Sequence, residues 1–196
     1  MNNALRTQYL SFKTELEQTG KTYFSLSDLE KFYQHKKTSL KALLTHWKKQ
    51  QLITKVGHGY YTLDLARVDY LQLATTLYPN SYVSFEYALY YYGMLNQVPT
   101  TVTLASLNRS RRFHLTAWTL EYTHIKKDLF FDYELKNNVY IATPEKALAD
   151  TFYLIARGQR LVELDNLDRA KINKTKLQAT LQQFPSYVQK LYQSFK

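Results

Sequence analysis

The sequence predicts an α+β protein: an amino-terminal winged helix-turn-helix followed by a carboxy-terminal domain with a small, mainly antiparallel sheet and flanking helices. Three observations predict it. Apolar residues recur at helical spacing in three short segments up to Trp47, a glycine-flanked pair of β-prone runs follows, and between Thr101 and Ile141 the periodicity changes to two.

The first helix is read over residues 4–19, where Leu5, Tyr9, Phe12 and Leu16 share a face and Gly20 supplies a left-handed end. Tyr23-Phe24 is a short apolar step. Ser27-Asp28-Leu29-Glu30 has the spacing of a capping box and opens a second helix, which turns Leu29 and Phe32-Tyr33 inward and gives out between Gln34 and Lys37. Thr38 or Ser39 can then cap a third helix carrying the stripe Leu40, Leu43, Leu44 and Trp47. Leu52-Ile53-Thr54-Lys55-Val56 and Tyr60-Tyr61-Thr62-Leu63, joined by Gly57-His58-Gly59, form a hairpin. Helix, helix, helix, hairpin is the winged order, and it occupies residues 1–64.

Charge composition changes at Asp64-Leu65-Ala66, which marks the seam with a second domain over residues 65–196. Its first helix runs through Val68, Leu71, Leu73 and Leu77 to Pro79. Ser84 can cap a helix with Phe85, Ala88, Leu89 and Tyr92 on one side, closed by Gly93; Tyr87, Tyr90 and Tyr91 leave it little polar face, so both sides should be covered. Five β-prone runs follow: 101–104, 113–115, 118–122, 129–131 and 139–141. Thr143-Pro144-Glu145-Lys146 reads as cap, first-turn proline and acidic first turn of a helix reaching Ile155. A helical tail from about residue 158 contains two further helices separated by Pro185.

Charge narrows the function. The chain has 26 Lys and Arg against 16 Asp and Glu, a formal net charge of +10, which favours a polyanionic partner. Between Lys31 and Tyr61 there are seven lysines and no acid. On a winged helix this pattern points to double-stranded DNA. The third helix would enter the major groove with Thr38, Ser39, Lys41, Ala42, Thr45 and His46 toward base edges. Lys36, Lys37, Lys48, Lys49 and Lys55 would hold phosphates, and His58 sits at the wing tip. A solvated helix face is the better reading of any one of these lysines taken alone, but not of the acid-free run as a whole. A second acid-free stretch, Tyr87 to Leu120, holds Arg109, Arg111 and Arg112 near an Asn108–Ser110 turn.

Other chemistries are weakly encoded. The absence of cysteine excludes disulfides, thiolate zinc sites and thiol catalysis. The five histidines lack metal-ligand spacing and the five glycines build no phosphate loop, so no metal, cofactor or catalytic residue is expected. Glu134-Leu135-Lys136 matches the Glu-x-Lys of metal-dependent nucleases, with Asp128 or Asp132 upstream, but Asn137-Asn138 makes it read as the shoulder of a hairpin. The tyrosines around Tyr87–Tyr92 could stack on single-stranded bases; with no basic residue between Arg67 and Arg109, packing is the better reading. Glu163, Asp165 and Asp168 lie beside Arg169 and Lys171 as a self-neutralising segment. No apolar run has the length of a signal peptide or a membrane span, so a cytoplasmic protein with no membrane partner is expected.

The winged segment ending in Gly57-His58-Gly59-Tyr60-Tyr61 is followed by Tyr82-Val83-Ser84-Phe85-Glu86-Tyr87-Ala88-Leu89 with Gly93. A polar turn with arginines comes next, then Thr143-Pro144-Glu145-Lys146-Ala147-Leu148-Ala149-Asp150. In this order the chain resembles, over nearly its whole length, the AbiEi antitoxins of bacterial type IV toxin–antitoxin and abortive-infection phage-defence systems. The resemblance implies a repressor that binds repeats in its own promoter through the winged domain. It also implies a carboxy-terminal domain that counters a nucleotidyltransferase-like toxin without a stable complex. Arg109, Arg111, Arg112, Lys126 and Lys127 are then candidates for the antitoxic surface, being positive charge that the fold does not need. The alternative is a winged-helix transcriptional regulator whose second domain senses a ligand or holds a dimer.

Overall fold

The computed structural model describes residues 3–33, 37–164 and 166–195. The chain divides into two compact units, Met1–Leu73 with His114–Ala117 and Ala74–Phe113 with Trp118–Lys196. The seam read at Asp64–Ala66 thus lies shortly before this division, and a short segment from the middle of the chain belongs to the first unit.

The first unit contains α1 (Asn3–Gln18), β1 (Phe24–Ser25), α2 (Leu26–Tyr33), α3 (Lys37–Lys49), β2 (Thr54–Gly57) and β3 (Tyr60–Thr62). Its antiparallel sheet has the order β1-β3-β2. The helices meet on a core in which Phe12 packs edge-on to Phe24 at 4.8 Å and stacks on Trp47 at 5.7 Å, with Leu29, Leu40 and Leu44 buried around them. Gly20 at φ +68° ends α1 as its position implies.

Three local expectations are corrected. Tyr23-Phe24 leads into a strand, because Phe24 pairs with Tyr61 and its ring stacks on the tyrosine at 5.9 Å. The capping box is Ser25–Asp28 and not Ser27–Glu30. The Asp28 amide donates to Ser25 Oγ at 3.3 Å and the Ser25 amide to Asp28 Oδ2 at 2.8 Å, so α2 begins at Leu26. Helix α3 already begins at Lys37, which puts Thr38 and Ser39 inside its first turn and not at its cap.

The hairpin has an extra partner in the segment 114–117. The Thr116 amide donates to the Val56 carbonyl at 2.9 Å and its hydroxyl to that of Lys55 at 2.8 Å. Gly57 suits this place chiefly through its φ of +145°, which side chains rarely adopt; a Cβ there would also lie 2.7 Å from Leu115 Cδ2, the movable end of a side chain.

The remaining elements are α4 (Tyr70–Leu77), β4 (Ser81–Val83), α5 (Phe85–Tyr91), β5 (Thr101–Ser106), β6 (Arg111–His114), β7 (Thr119–His124), β8 (Tyr133–Lys136), β9 (Val139–Ala142), α6 (Pro144–Ala156), α7 (Lys174–Gln182) and α8 (Ser186–Phe195). The larger sheet has the order β6-β7-β5-β4-β9-β8. It is mixed, not mainly antiparallel as expected: β5 runs parallel to β7 and β4 parallel to β9. The cause is topological. Strand β6 takes the outer edge, so β7 returns into the place beside β5 and runs in the same direction.

Within this unit, 129–131 is no strand. Lys127–Leu129 is a 3₁₀ turn, and Phe130 packs against Tyr82 and Tyr133 at 5.0 Å from each. Glu134-Leu135-Lys136 does form a hairpin shoulder, with Asn137 and Asn138 at φ +48° and +63° in a two-residue turn. Helix α5 buries Phe85, Ala88 and Leu89, but it is not covered on both sides: Tyr91 is 41% exposed. Helix α6 starts as read, with Thr143 Oγ1 accepting from the Lys146 amide and Pro144 in the first turn. Helices α7 and α8 flank Pro185 as expected. Among the described residues no helix is long and apolar enough to cross a membrane.

Candidate functional site

Helix α3 buries Leu40, Leu43, Leu44 and Trp47 on one side. That leaves Thr38, Ser39, Lys41, Ala42, Thr45, Lys48 and Lys49 exposed on the other, with His46 half-buried at the margin. Lys55 and His58 are exposed on the β2–β3 hairpin, where His58 has φ +48° between the two glycines. Lys36 lies outside the described residues, as does the side chain of Lys37. Lys41, Lys48, Lys49 and Lys55 have no ion pair among the described residues. The Thr45 hydroxyl donates to the Lys41 carbonyl at 2.9 Å, which holds its side chain against the helix. Between α3 and the hairpin turn lies an open slot of about 400 Å³ lined by Lys41, Leu44, Thr45, Lys48, Gly59 and Tyr61, with Leu26 at its end. None of these lining residues is acidic.

In the second unit the arginines are less alike than their sequence suggests. Arg112 pairs with Glu121, which also takes Arg160, and Arg160 reaches Glu86. Arg111 lies 5.2 Å over the Phe113 ring. Arg109, Lys126 and Lys127 are exposed. The turn before β6 is tied to the end of β7: the His124 amide donates to Ser110 Oγ at 2.8 Å, and the Asn108 carbonyl lies 3.2 Å from His124 Nδ1. Arg109, Arg111 and Lys126 therefore gather at one end of this strand pair, while Arg112 belongs to an ion-pair network.

Lys146 and Asp150 stand near the start of α6, and nothing local in the sequence marks their burial. Both side chains are fully buried. Their ammonium and carboxylate meet directly; Lys146 Nζ donates to Tyr82 Oη at 2.8 Å, and Tyr82 and Ser84 donate to Asp150 Oδ2 at 2.9 and 2.8 Å. The ammonium also lies 5.0–5.3 Å from the ring centres of Phe131, Phe184 and Tyr82. Burial pushes the Lys146 amine below its usual range and the Asp150 carboxyl above its own; burial, and then the charge of Asp150, holds the Tyr82 phenol well above the usual value. Ser84 stands at the N-cap position of α5, but its hydroxyl is used here and makes no cap bond. The readable signal was the Lys-x-x-x-Asp spacing, which places both groups on one helix face.

The acidic candidates are engaged elsewhere. Glu134 faces Lys136 at 2.7 Å, and Asp132 accepts from Thr143 Oγ1 at 2.8 Å. Asp165 lies outside the described residues, and among those described no group of three or more His, Asp or Glu could hold a metal ion. The second unit also has an open cleft of about 850 Å³ between α6, α7 and α8, lined by Leu148, Leu181 and Tyr192 with Arg169, Lys174 and Gln178 at its polar side. No protein-family model matches the chain, and no curated protein matches it.

Proposed function

We propose that the first unit is a winged helix-turn-helix that binds double-stranded DNA, with α3 as the helix in the major groove and the β2–β3 hairpin as the wing. The observation that carries this reading is the exposed face of α3 and the hairpin. It bears Lys41, Lys48, Lys49 and Lys55 without an acidic neighbour in sequence from Lys31 to Tyr61. Lysines placed only to solubilise a helix are ordinarily interspersed with acids, as on α1, where Lys13 and Glu17 lie 3.9 Å apart.

Together with the motifs around Ser84 and Thr143, this gives a DNA-binding antitoxin that represses its own operon and counters a nucleotidyltransferase-like toxin encoded beside it. Thr143–Asp150 supports the core of the second unit and so acts indirectly, which leaves the exposed Arg109, Arg111, Lys126 and Lys127 as candidates to touch a partner. A second reading, a regulator whose second unit senses a small ligand, is favoured by the cleft between α6, α7 and α8. Co-expression separates the two. The antitoxin restores growth of cells making the neighbouring nucleotidyltransferase-like protein, and Arg109→Ala with Lys126→Ala weakens that rescue. A regulator binds the same DNA and gives no rescue.

A further inference from the structure

The slot between α3 and the hairpin separates the lysines of α3 into two kinds. Successive residues of an α-helix are 100° apart, so positions seven apart nearly eclipse. Lys41 and Lys48 are such a pair. Both lie on the flank nearer Leu44 that faces the hairpin turn, and both line the slot. Thr38, Ala42 and Lys49 lie on the stripe opposite the buried Leu40, Leu43 and Trp47 and do not line the slot, and Thr45 stands between the two, lining the slot from the edge of that stripe. A base edge reached by the helix would meet that outer stripe, first through Thr38, Ala42 and Thr45 in its amino-terminal half. Lys41 is off this stripe. It lines the slot together with the backbone at Gly59, where a Cβ would meet nothing within 4 Å.

We propose that this slot is a seat for a single phosphodiester group of a DNA strand, held jointly by Lys41 and Lys48, with the turn at Gly59 as part of its lining. The inference rests on the DNA-binding reading and assigns Lys41 a positioning role in place of base readout. Two ammonium groups line the slot with no acid among its lining residues, so a single anion seated there would take charge-assisted hydrogen bonds from both. Leu44, Leu26 and the Tyr61 ring supply the apolar part of the lining, which leaves the two amines as the groups that hold the anion. Lys49 and Lys55 lie outside the slot and take separate phosphates.

The test is a salt titration of the full chain on a mixed-sequence duplex, for wild type, Lys41→Ala, Lys48→Ala, the double variant, and Lys49→Ala with Lys55→Ala. Each phosphate neutralised adds about 0.9 to the slope of log K against log salt. If Lys41 and Lys48 share one phosphate, either alone still neutralises it: the single variants keep the wild-type slope and the double variant loses about 0.9. The Lys49, Lys55 double variant loses about 1.8. Sequences enriched from a randomised duplex library are the same for Lys41→Ala as for wild type. A loss of about 0.9 in each single variant and about 1.8 in the Lys41, Lys48 double would overturn the shared seat; so would an unchanged slope in that double, or an altered enriched sequence for Lys41→Ala. A wild-type slope of zero refutes DNA binding itself, and the seat with it. All four side chains are exposed, so circular dichroism should give the wild-type fold for every variant.

Discussion

Replacing Lys146 by Met tests how the second unit tolerates a charge pair in its core. Methionine keeps most of the stem volume and removes the ammonium. Asp150 then remains fully buried with the Tyr82 and Ser84 hydroxyls as donors and no cation. Removing one partner of a buried pair costs about 3–5 kcal/mol, because the other charge is left uncompensated. Two retained hydrogen bonds place Lys146→Met at the lower end, about 3 kcal/mol. Asp150→Asn leaves Lys146 with Tyr82 Oη and three ring faces and should cost about the same. The double variant removes both charges, so its loss falls short of the sum of the single losses by about 1–3 kcal/mol. The pH dependence of Lys146→Met has a definite sign. Burial already raises the Asp150 carboxyl in the wild type, and loss of the cation raises it further. The folded variant therefore holds a proton that the unfolded chain releases above about pH 3.9. Its stability must fall as pH rises from there to the folded pKa, by up to about 1.4 kcal/mol per pH unit. Urea titration read by hydrogen exchange at the α6 amides, at two pH values, measures all of this within the second unit. Single-variant losses below about 1 kcal/mol, additivity within about 0.5 kcal/mol, or a pH-independent Lys146→Met would show that Lys146 and Asp150 are not a coupled, desolvated charge pair.

Other expectations concern the first unit. Gly57→Ala should lose about 2 kcal/mol or more by thermal or urea unfolding, from φ strain and the collision with Leu115; combining it with Leu115→Ala recovers the collision part only, and full recovery would show that φ is not strained. Asp28→Ala removes the reciprocal cap and should cost about 1 kcal/mol near neutrality. Burial pushes the Asp28 carboxyl up, but the Ser25 hydroxyl and amide and the Lys21 ammonium more than offset it, so its pKa is lowered from the usual 3.8. The stability it contributes is full above that value and is lost as pH falls through the lower, folded pKa. The gap between wild type and Asp28→Ala should close in acid titration there, and a gap that widens would contradict the assignment.

What was legible in the sequence follows the range of the interactions involved. Gly20, Thr143-Pro144 and the glycine pair around His58 act within one turn of chain, and each ends or starts an element where read. The capping box was displaced by two residues because Ser25-x-x-Asp28 and Ser27-x-x-Glu30 have the same spacing; only the pairing of Phe24 with Tyr61, distant in sequence, selects the first. Parallel pairing of β5 with β7 and of β4 with β9 could not be read, since a strand's alternation of two is the same in either direction. Phe85, fully buried at φ +56°, departs from local preference altogether; the corner between β4 and α5 is set by packing. The candidate face on α3 was legible because the buried stripe of Leu40, Leu43, Leu44 and Trp47 fixes what is left outside. The sorting of Lys41 from Lys49 was not, because it depends on where the hairpin turn lies. The burial of Lys146 was not legible for a related reason: a lysine four residues before an aspartate is ordinarily a surface pair, and its burial is decided by Tyr82, Phe131 and Phe184.

On the proposed reading, the lysines of α3 and the hairpin hold the phosphates of duplex DNA. Its most direct test is the affinity of the full chain for a mixed-sequence duplex, measured by fluorescence anisotropy over a range of salt concentrations. With Lys36, Lys37, Lys49 and Lys55 each on a phosphate and Lys41 and Lys48 sharing one, about five phosphates are neutralised and log K should fall against log salt with a slope of about −4 to −5. An affinity that does not change with salt, or no binding at low salt, would contradict it.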